Sequence, residues 1–240
     1  MRPPRPTLLR PLLAVAAALT LSAALVPSAV LAQESYKIEP LKEAPPEALA
    51  APLRDALQAE GYRVVDGQGK PYADLWIRKS VPATEAPGKP KGAILFPFLT
   101  EGELIGALRY VGEGYDNRDQ AIAKGVYTLR YGLQPVNGDH LGVSPYRDYA
   151  LLLPAAKDRT VAVVPRKALE ERSSETAGTS HPAILLMTAA QPGGPTPPAI
   201  VRDEERNTWA AALPLSTAVQ GSPTASPVTV GIVLIGVLGG

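Results

Sequence analysis

The sequence predicts an all-β protein, a β-sandwich of the immunoglobulin-like or jelly-roll type with one or two short helices. Three observations carry this. Gly and Pro number 21 and 26 in 240 residues, about a fifth of the chain against a usual share of roughly an eighth, which fits many turns between short strands. Several segments alternate apolar and polar residues with a period of two. Only two short stretches carry helical spacing.

Residues 1–32 read as an export signal. Arg2, Arg5 and Arg10 give a positive start, and Leu12 to Val26 is an uncharged run of 15 residues, short of the ~20 that a spanning helix needs. Val30-Leu31-Ala32 then offers a small-residue cleavage site before Gln33. No twin-Arg pair is present, so the general secretory route to the periplasm or medium is expected. The three arginines leave with this segment, and the remaining chain carries 21 basic against 23 acidic residues, a net charge of −2. Such near-neutrality argues against a nucleic-acid partner or a polybasic membrane binder. The absence of Cys excludes a disulfide framework, a thiolate metal site, a Cys nucleophile and a lipid-modified Cys.

Residues 33–50, rich in Glu, Pro and Ala, read as an extended lead-in, and residues 51–240 as a single sandwich domain. Leu49, Leu53 and Leu57 recur at helical spacing, and Pro52 can occupy a first turn, so a short helix is expected over Pro52–Glu60. Tyr62–Val65 and Tyr72–Arg78, joined through Asp66-Gly67, form a hairpin signal. Residues 81–91 hold three Pro and read as a surface connection. Strands are expected over Gly92–Phe98, Glu103–Val111, Val126–Leu133, Asp148–Leu153 and Thr160–Val164, then a second helix over Pro165–Thr176 and a strand over Ala183–Ala189. In Val126–Leu133, Tyr127, Leu129, Tyr131 and Leu133 share one face, with Thr128 and Arg130 on the other. Tyr127, at the start of that strand, fits a tyrosine corner, in which the hydroxyl turns back onto upstream backbone. Residues 191–198 and 216–227 read as Pro-rich loops, bracketing strands at Ala199–Arg202 and Asn207–Leu213. The terminal run Val228–Gly240 has 13 residues, too few to span a bilayer, and its Val/Ile content suits a buried closing strand; a membrane-associated tail is the alternative.

Candidate chemistry gathers in one polar loop, Gln134–Arg147, followed by Asp148. Its length exceeds what a hairpin needs, and such loops are more often functional or disordered than idle. Asn137, Asp139 and His140 supply hydrogen-bonding groups, Arg147 suits an anionic group, Tyr146 suits stacking, and Asp148 closes the set. The other His, His181, also lies in a loop. If the fold brought these loops together, His140, His181 and Asp139 or Asp148 could form a two-His, one-carboxylate metal site. The bland reading is that two isolated His with no metal-ligand spacing are surface or hydrogen-bonding residues. Ser144 and Ser180 lack a nucleophile elbow, and the acids of Glu101–Asp119 read as a solvated loop rather than a glycosidase pair.

Leu75–Lys79 (LWIRK), Lys124–Asp158 (KGVYTLRYGLQPVNGDHLGVSPYRDYALLLPAAKD) and Thr179–Ala183 (TSHPA) resemble blocks in a group of exported bacterial proteins of unknown function. The resemblance implies a secreted, β-rich single domain and carries no activity, substrate or catalytic residue. The Gly-x-Tyr strand start is similar to that of prealbumin-like extracytoplasmic sandwich modules, which mostly bind or brace. The expectation is therefore a non-enzymatic extracytoplasmic protein without cofactor, binding a ligand or partner through the 134–148 loop and the His181 loop. The alternatives are a metal-assisted hydrolase and a structural, envelope-associated protein.

Overall fold

The computed structural model describes residues 35–136, 144–219, 221–222 and 224–237. The expected export segment, residues 1–32, lies outside them. Of the described residues 45% are in strands and bridges and 9% in helices, which places the chain in the mostly-β class. In chain order the elements are β1 (Tyr36–Leu41), α1 (Ala51–Ala56), β2 (Gly61–Asp66), β3 (Pro71–Ile77), β4 (Val81–Ala83), β5 (Leu104–Tyr110), β6 (Gly114–Tyr115), β7 (Ala121–Ile122), β8 (Gly125–Leu133), β9 (Asp148–Pro154), α2 (Arg166–Ala177), β10 (Ile184–Ala189), β11 (Ala199–Asp203), β12 (Thr208–Val219) and β13 (Ala225–Ile235). β6 and β7 make a small separate hairpin.

The remaining strands form one large curled sheet in the order β1-β2-β3-β5-β8-β9-β10-β13-β12-β11, with β4 added in parallel to β12 and every other pairing antiparallel. What the structure shows of the expected sandwich is this coarser architecture, a continuous hydrogen-bonded path with two helices on it. Bulges between Val64 and Val65, Leu104 and Gly106, and Trp209 and Ala210 help the sheet to curl, because an extra residue bends a strand and increases its twist. The curl brings the two ends of the path face to face. The Tyr36 ring on β1 packs edge-on to Trp209 on β12 at 5.3 Å, and the Tyr72 hydroxyl donates to the Leu234 carbonyl at 3.3 Å.

The enclosed inner face carries the main core, which runs from Val64, Leu75 and Tyr110 through Leu129 and Leu152 to Leu213 and Ile232. Tyr127, Leu129 and Tyr131 point inward as the alternation predicts, and the Tyr127 hydroxyl donates to the Ala123 carbonyl at 2.7 Å, the expected tyrosine corner. In β5 the bulge resets the alternation, so that Ile105 joins Leu108 and Tyr110 in the main core while Leu104 and Ala107 pack on the other side.

The outer face is covered in two patches. Leu49, Leu53 and Leu57 seat α1 against Trp76 and Ala107, and α2 lies on Leu151, Leu153 and Leu186. α1 is shorter than the expected Pro52–Glu60 because the chain beyond it is taken by β3: Leu57 bridges Arg78, and the Gln58 N–H donates to the Ile77 carbonyl. The expected lead-in contributes an edge strand, with Tyr36 to Leu41 in register against Asp66 to Gly61, and Glu34–Gly240 forms one compact unit.

Four other expectations give way to tertiary pairing. Val81–Ala83, at the start of the expected surface connection 81–91, form β4 beside β12, with Val81 and Ala83 buried. Gly92–Phe98 is no strand, because the Asp148 carboxylate takes the Leu95 and Phe96 N–H groups. Thr160–Val164 is no strand, because the buried Arg130 guanidinium takes the Thr160 and Ala162 carbonyls. The Pro-rich stretch 216–227 is largely strand, since β12 and β13 pair from Trp209↔Ile235 out to Ala218↔Ala225. Of the terminal run, residues 228–235 form the inner part of β13, between β12 and β10, with Val230, Ile232, Val233 and Leu234 buried; residues 238–240 lie outside the described residues.

Candidate functional site

The 134–148 loop leaves β8 and returns as β9, and its neck is tied shut. The Gln134 N–H donates to the Arg147 carbonyl at 2.7 Å, and the Arg147 Nε donates to the Gln134 carbonyl at 2.7 Å. The Arg147 N–H also donates to the Ala93 carbonyl at 2.9 Å. Arg147, expected to meet an anionic ligand, thus spends its Nε on holding the neck. Asp148 is fully buried: its two oxygens accept from Leu95 N at 2.7 Å, Phe96 N at 3.0 Å and the Tyr131 hydroxyl at 2.7 Å. A carboxylate so engaged serves as a brace, and it presents nothing to a ligand. Burial, then the neighbouring Asp148 charge, holds the Tyr131 hydroxyl far above its ordinary range, which keeps it a neutral donor.

Asn137, Asp139 and His140 lie outside the described residues. Tyr146 is exposed. His181 is exposed as well, its backbone N–H held by the Thr179 hydroxyl at 3.1 Å. His181 and the loop's first residues, Gln134 and Pro135, line one cleft of about 360 Å³ together with Arg118, Glu170 and Ser174. Tyr146 and the loop's last residues line another of about 500 Å³. The structure therefore brings the two expected loops side by side but divides their described residues between separate clefts. Among the described residues no group of three or more His, Cys, Asp or Glu could hold a metal ion.

The 500 Å³ cleft is a groove on the outer face of β10, β13, β12 and β11. Register aligns its floor in rows across the strands. Thr188 pairs with Gly231, which pairs with Ala212. In the next row Val233 pairs with Ala210, which pairs with Val201, and Leu186 lies beside them on β10. In the first row no side chain is larger than threonine, so the sheet is left bare between taller walls. Those walls are Tyr146 and Pro145 from the polar loop, Pro90 and Leu95 from the connection before β5, and Gln191, Gly194 and Pro195 from the loop after β10. Gly231 keeps the row flat, because a Cβ at that position would meet the Thr188 Oγ1 and force that hydroxyl to turn aside.

Asp203 and Arg206 close one end of the groove with an ion pair at 2.8 Å. Hydrogen bonds from the Arg206 backbone N–H and guanidinium hold the Asp203 carboxyl below its ordinary value. Tyr149, beside the other cleft, has its hydroxyl pushed up to about 12 by burial. A broader depression of about 710 Å³ where β4 meets β12 is lined by residues such as Ser80, Thr84 and Ala218 and holds no titratable group.

Sequence reasoning missed the groove. Its signal was present as small residues at the outward positions of two strands, Ala210 and Ala212 in TWAAALP and Gly231 in VTVGIV, but nothing in the sequence says that these strands lie side by side. No protein-family model matches the chain, and neither a curated protein nor a solved structure gives a match.

Proposed function

We propose that this chain is an exported, non-enzymatic extracytoplasmic protein that binds a small apolar ligand in the outer-face groove, with the curled, sandwich-like sheet as its rigid scaffold. The observation that carries the reading is the row Thr188–Gly231–Ala212, which leaves a pocket of about 500 Å³ on a face where a sheet would normally carry larger side chains. That volume lies within the ~300–1,000 Å³ typical of small-molecule sites, which are mainly apolar with a few placed polar groups. Tyr146, from the loop that sequence reasoning singled out, supplies an aromatic wall, so the loop shapes the site through its closing end. Strands on both sides hold the floor residues, which gives a bound molecule a preformed surface.

The test is titration of the purified protein with the neutral fluorophore N-phenyl-1-naphthylamine. Saturable binding with one site is expected in the wild type, and its loss in Ala212→Phe, whose ring would fill the groove while circular dichroism stays that of the wild type. Absence of binding to the wild type, or equal binding to the variant, overturns the proposal.

A further inference from the structure

Among the described residues the groove offers no free charge. Its charged lining residues are Arg202, Asp203 and Arg206; Arg206 closes on Asp203, and Arg202 stacks its guanidinium on Trp209, 5.1 Å from the ring centroid. Arg202 and Trp209 are cross-strand partners, so they share a face, and alternation puts that face opposite the one that carries Ala210 and Val201. What the groove does offer is hydroxyl groups. Thr188 on β10 and Thr229 on β13 occupy outward positions in its lining, and among the described residues neither side chain makes a hydrogen bond within the protein. The close approach of the Thr188 Oγ1 to Gly231 sets that hydroxyl over the middle of the flat row.

On this basis, and resting on the groove-binding reading above, we infer that the ligand is an uncharged molecule with an apolar body and one hydroxyl, ester or ketone group that hydrogen-bonds Thr188. An ionised head drawn into the groove would lose its hydration without meeting an opposite charge. A neutral polar group exchanges a hydrogen bond to water for one to Thr188 and leaves the apolar body to supply the affinity.

The experiment displaces N-phenyl-1-naphthylamine from the purified protein with decanol, decanoate and decylamine, which share one chain length and differ in the head. Decanol is expected to displace the probe at concentrations at least roughly tenfold lower than either ion at neutral pH. The gap to decanoate closes as the pH falls through the carboxylate range near ~4, where decanoate becomes neutral. Thr188→Val, which keeps the branched shape and removes the hydroxyl, weakens decanol roughly three- to tenfold, each displacement being read against that variant's own affinity for the probe. Decanoate or decylamine binding as well as decanol, or decanol indifferent to Thr188→Val, overturns the inference while the groove itself stands. Failure of the probe to bind the wild type removes the groove-binding reading, and this inference with it.

Discussion

Replacing Asp148 by Ala tests whether this residue braces the fold or meets a ligand. The carboxylate accepts two backbone N–H groups, Leu95 at 2.7 Å and Phe96 at 3.0 Å, and the Tyr131 hydroxyl at 2.7 Å, all of them buried. Hydrogen bonds to a charged acceptor contribute about 1.5–3 kcal/mol each, and a buried donor left unsatisfied costs about 1–3 kcal/mol. The hydroxyl has the Phe96 carbonyl at 3.3 Å to turn to, so the main loss comes from the two stranded N–H groups, and a total of about 3–5 kcal/mol follows. For a domain of this size that is a fall in melting temperature on the order of 10 °C. Asp148→Asn keeps one acceptor oxygen and turns an amide NH2 toward the remaining donors, so its loss is about 2–3 kcal/mol. Urea unfolding gives the free energies, and native-state hydrogen exchange reads the Leu95 and Phe96 amides, which lose protection in the Ala variant. A cost below about 1 kcal/mol with both amides still protected would refute the reasoning. The same variant loosens the Leu95 wall of the groove, so probe affinity falls even under conditions where the protein remains folded.

Two further perturbations follow from the buried polar groups. Arg130 is fully buried and places all five N–H groups, on both Asp158 oxygens and on the carbonyls of Gly102, Thr160 and Ala162. Arg130→Met leaves the buried Asp158 charge without a counter-charge, held only by the Thr128 hydroxyl at 2.6 Å, and costs about 3–5 kcal/mol, and the double variant Arg130→Met/Asp158→Leu recovers a large part of that; chemical denaturation of the two side by side decides it, and a double variant worse than the single one contradicts the account. Burial pushes the hydroxyls of Tyr72 and Tyr149 up to about 12, against about 10 in the unfolded chain. The folded state then holds protons that the unfolded state releases, so this stability is complete below about pH 10 and is lost as pH rises toward 12, by up to roughly 3 kcal/mol for each group. Urea midpoints measured across that range, beside a spectrophotometric phenolate titration, check the sign; stability that stays level to about pH 11 would contradict it.

Much of the local structure was legible in the sequence. The hairpin of β2 and β3, the inward set Tyr127, Leu129 and Tyr131, the corner at Tyr127, the Leu49–Leu53–Leu57 stripe and the start of α2 behind Pro165 all follow from spacing, because side-chain period and turn chemistry are local properties. Where expectation and structure part, a group distant in the chain has captured the backbone. Asp148 takes the N–H groups of Leu95 and Phe96. Arg130 takes the carbonyls of Thr160 and Ala162, and β3 takes the chain that leaves α1.

The candidate site divides along the same line. The sequence pointed to the 134–148 loop, and Tyr146 does stand in the wall of the groove, while Arg147 and Asp148 turn inward to close the loop's neck and brace Leu95. A polar residue in a polar stretch reads as solvent-facing until the backbone that it will bond is known, and that backbone lies 52 and 53 residues away for Asp148. By itself the sequence determined the mostly-β class, the turn between β2 and β3 and which residues of β8 face the same way, since these depend on chemistry within a few residues; in β5 the bulge, which the sequence does not announce, reset the facing. Only the tertiary structure decided that Thr188, Gly231 and Ala212 lie in one row, because strand order and register are set by the packing of the whole sheet, and the bare floor of the groove exists only once β10, β13 and β12 are side by side.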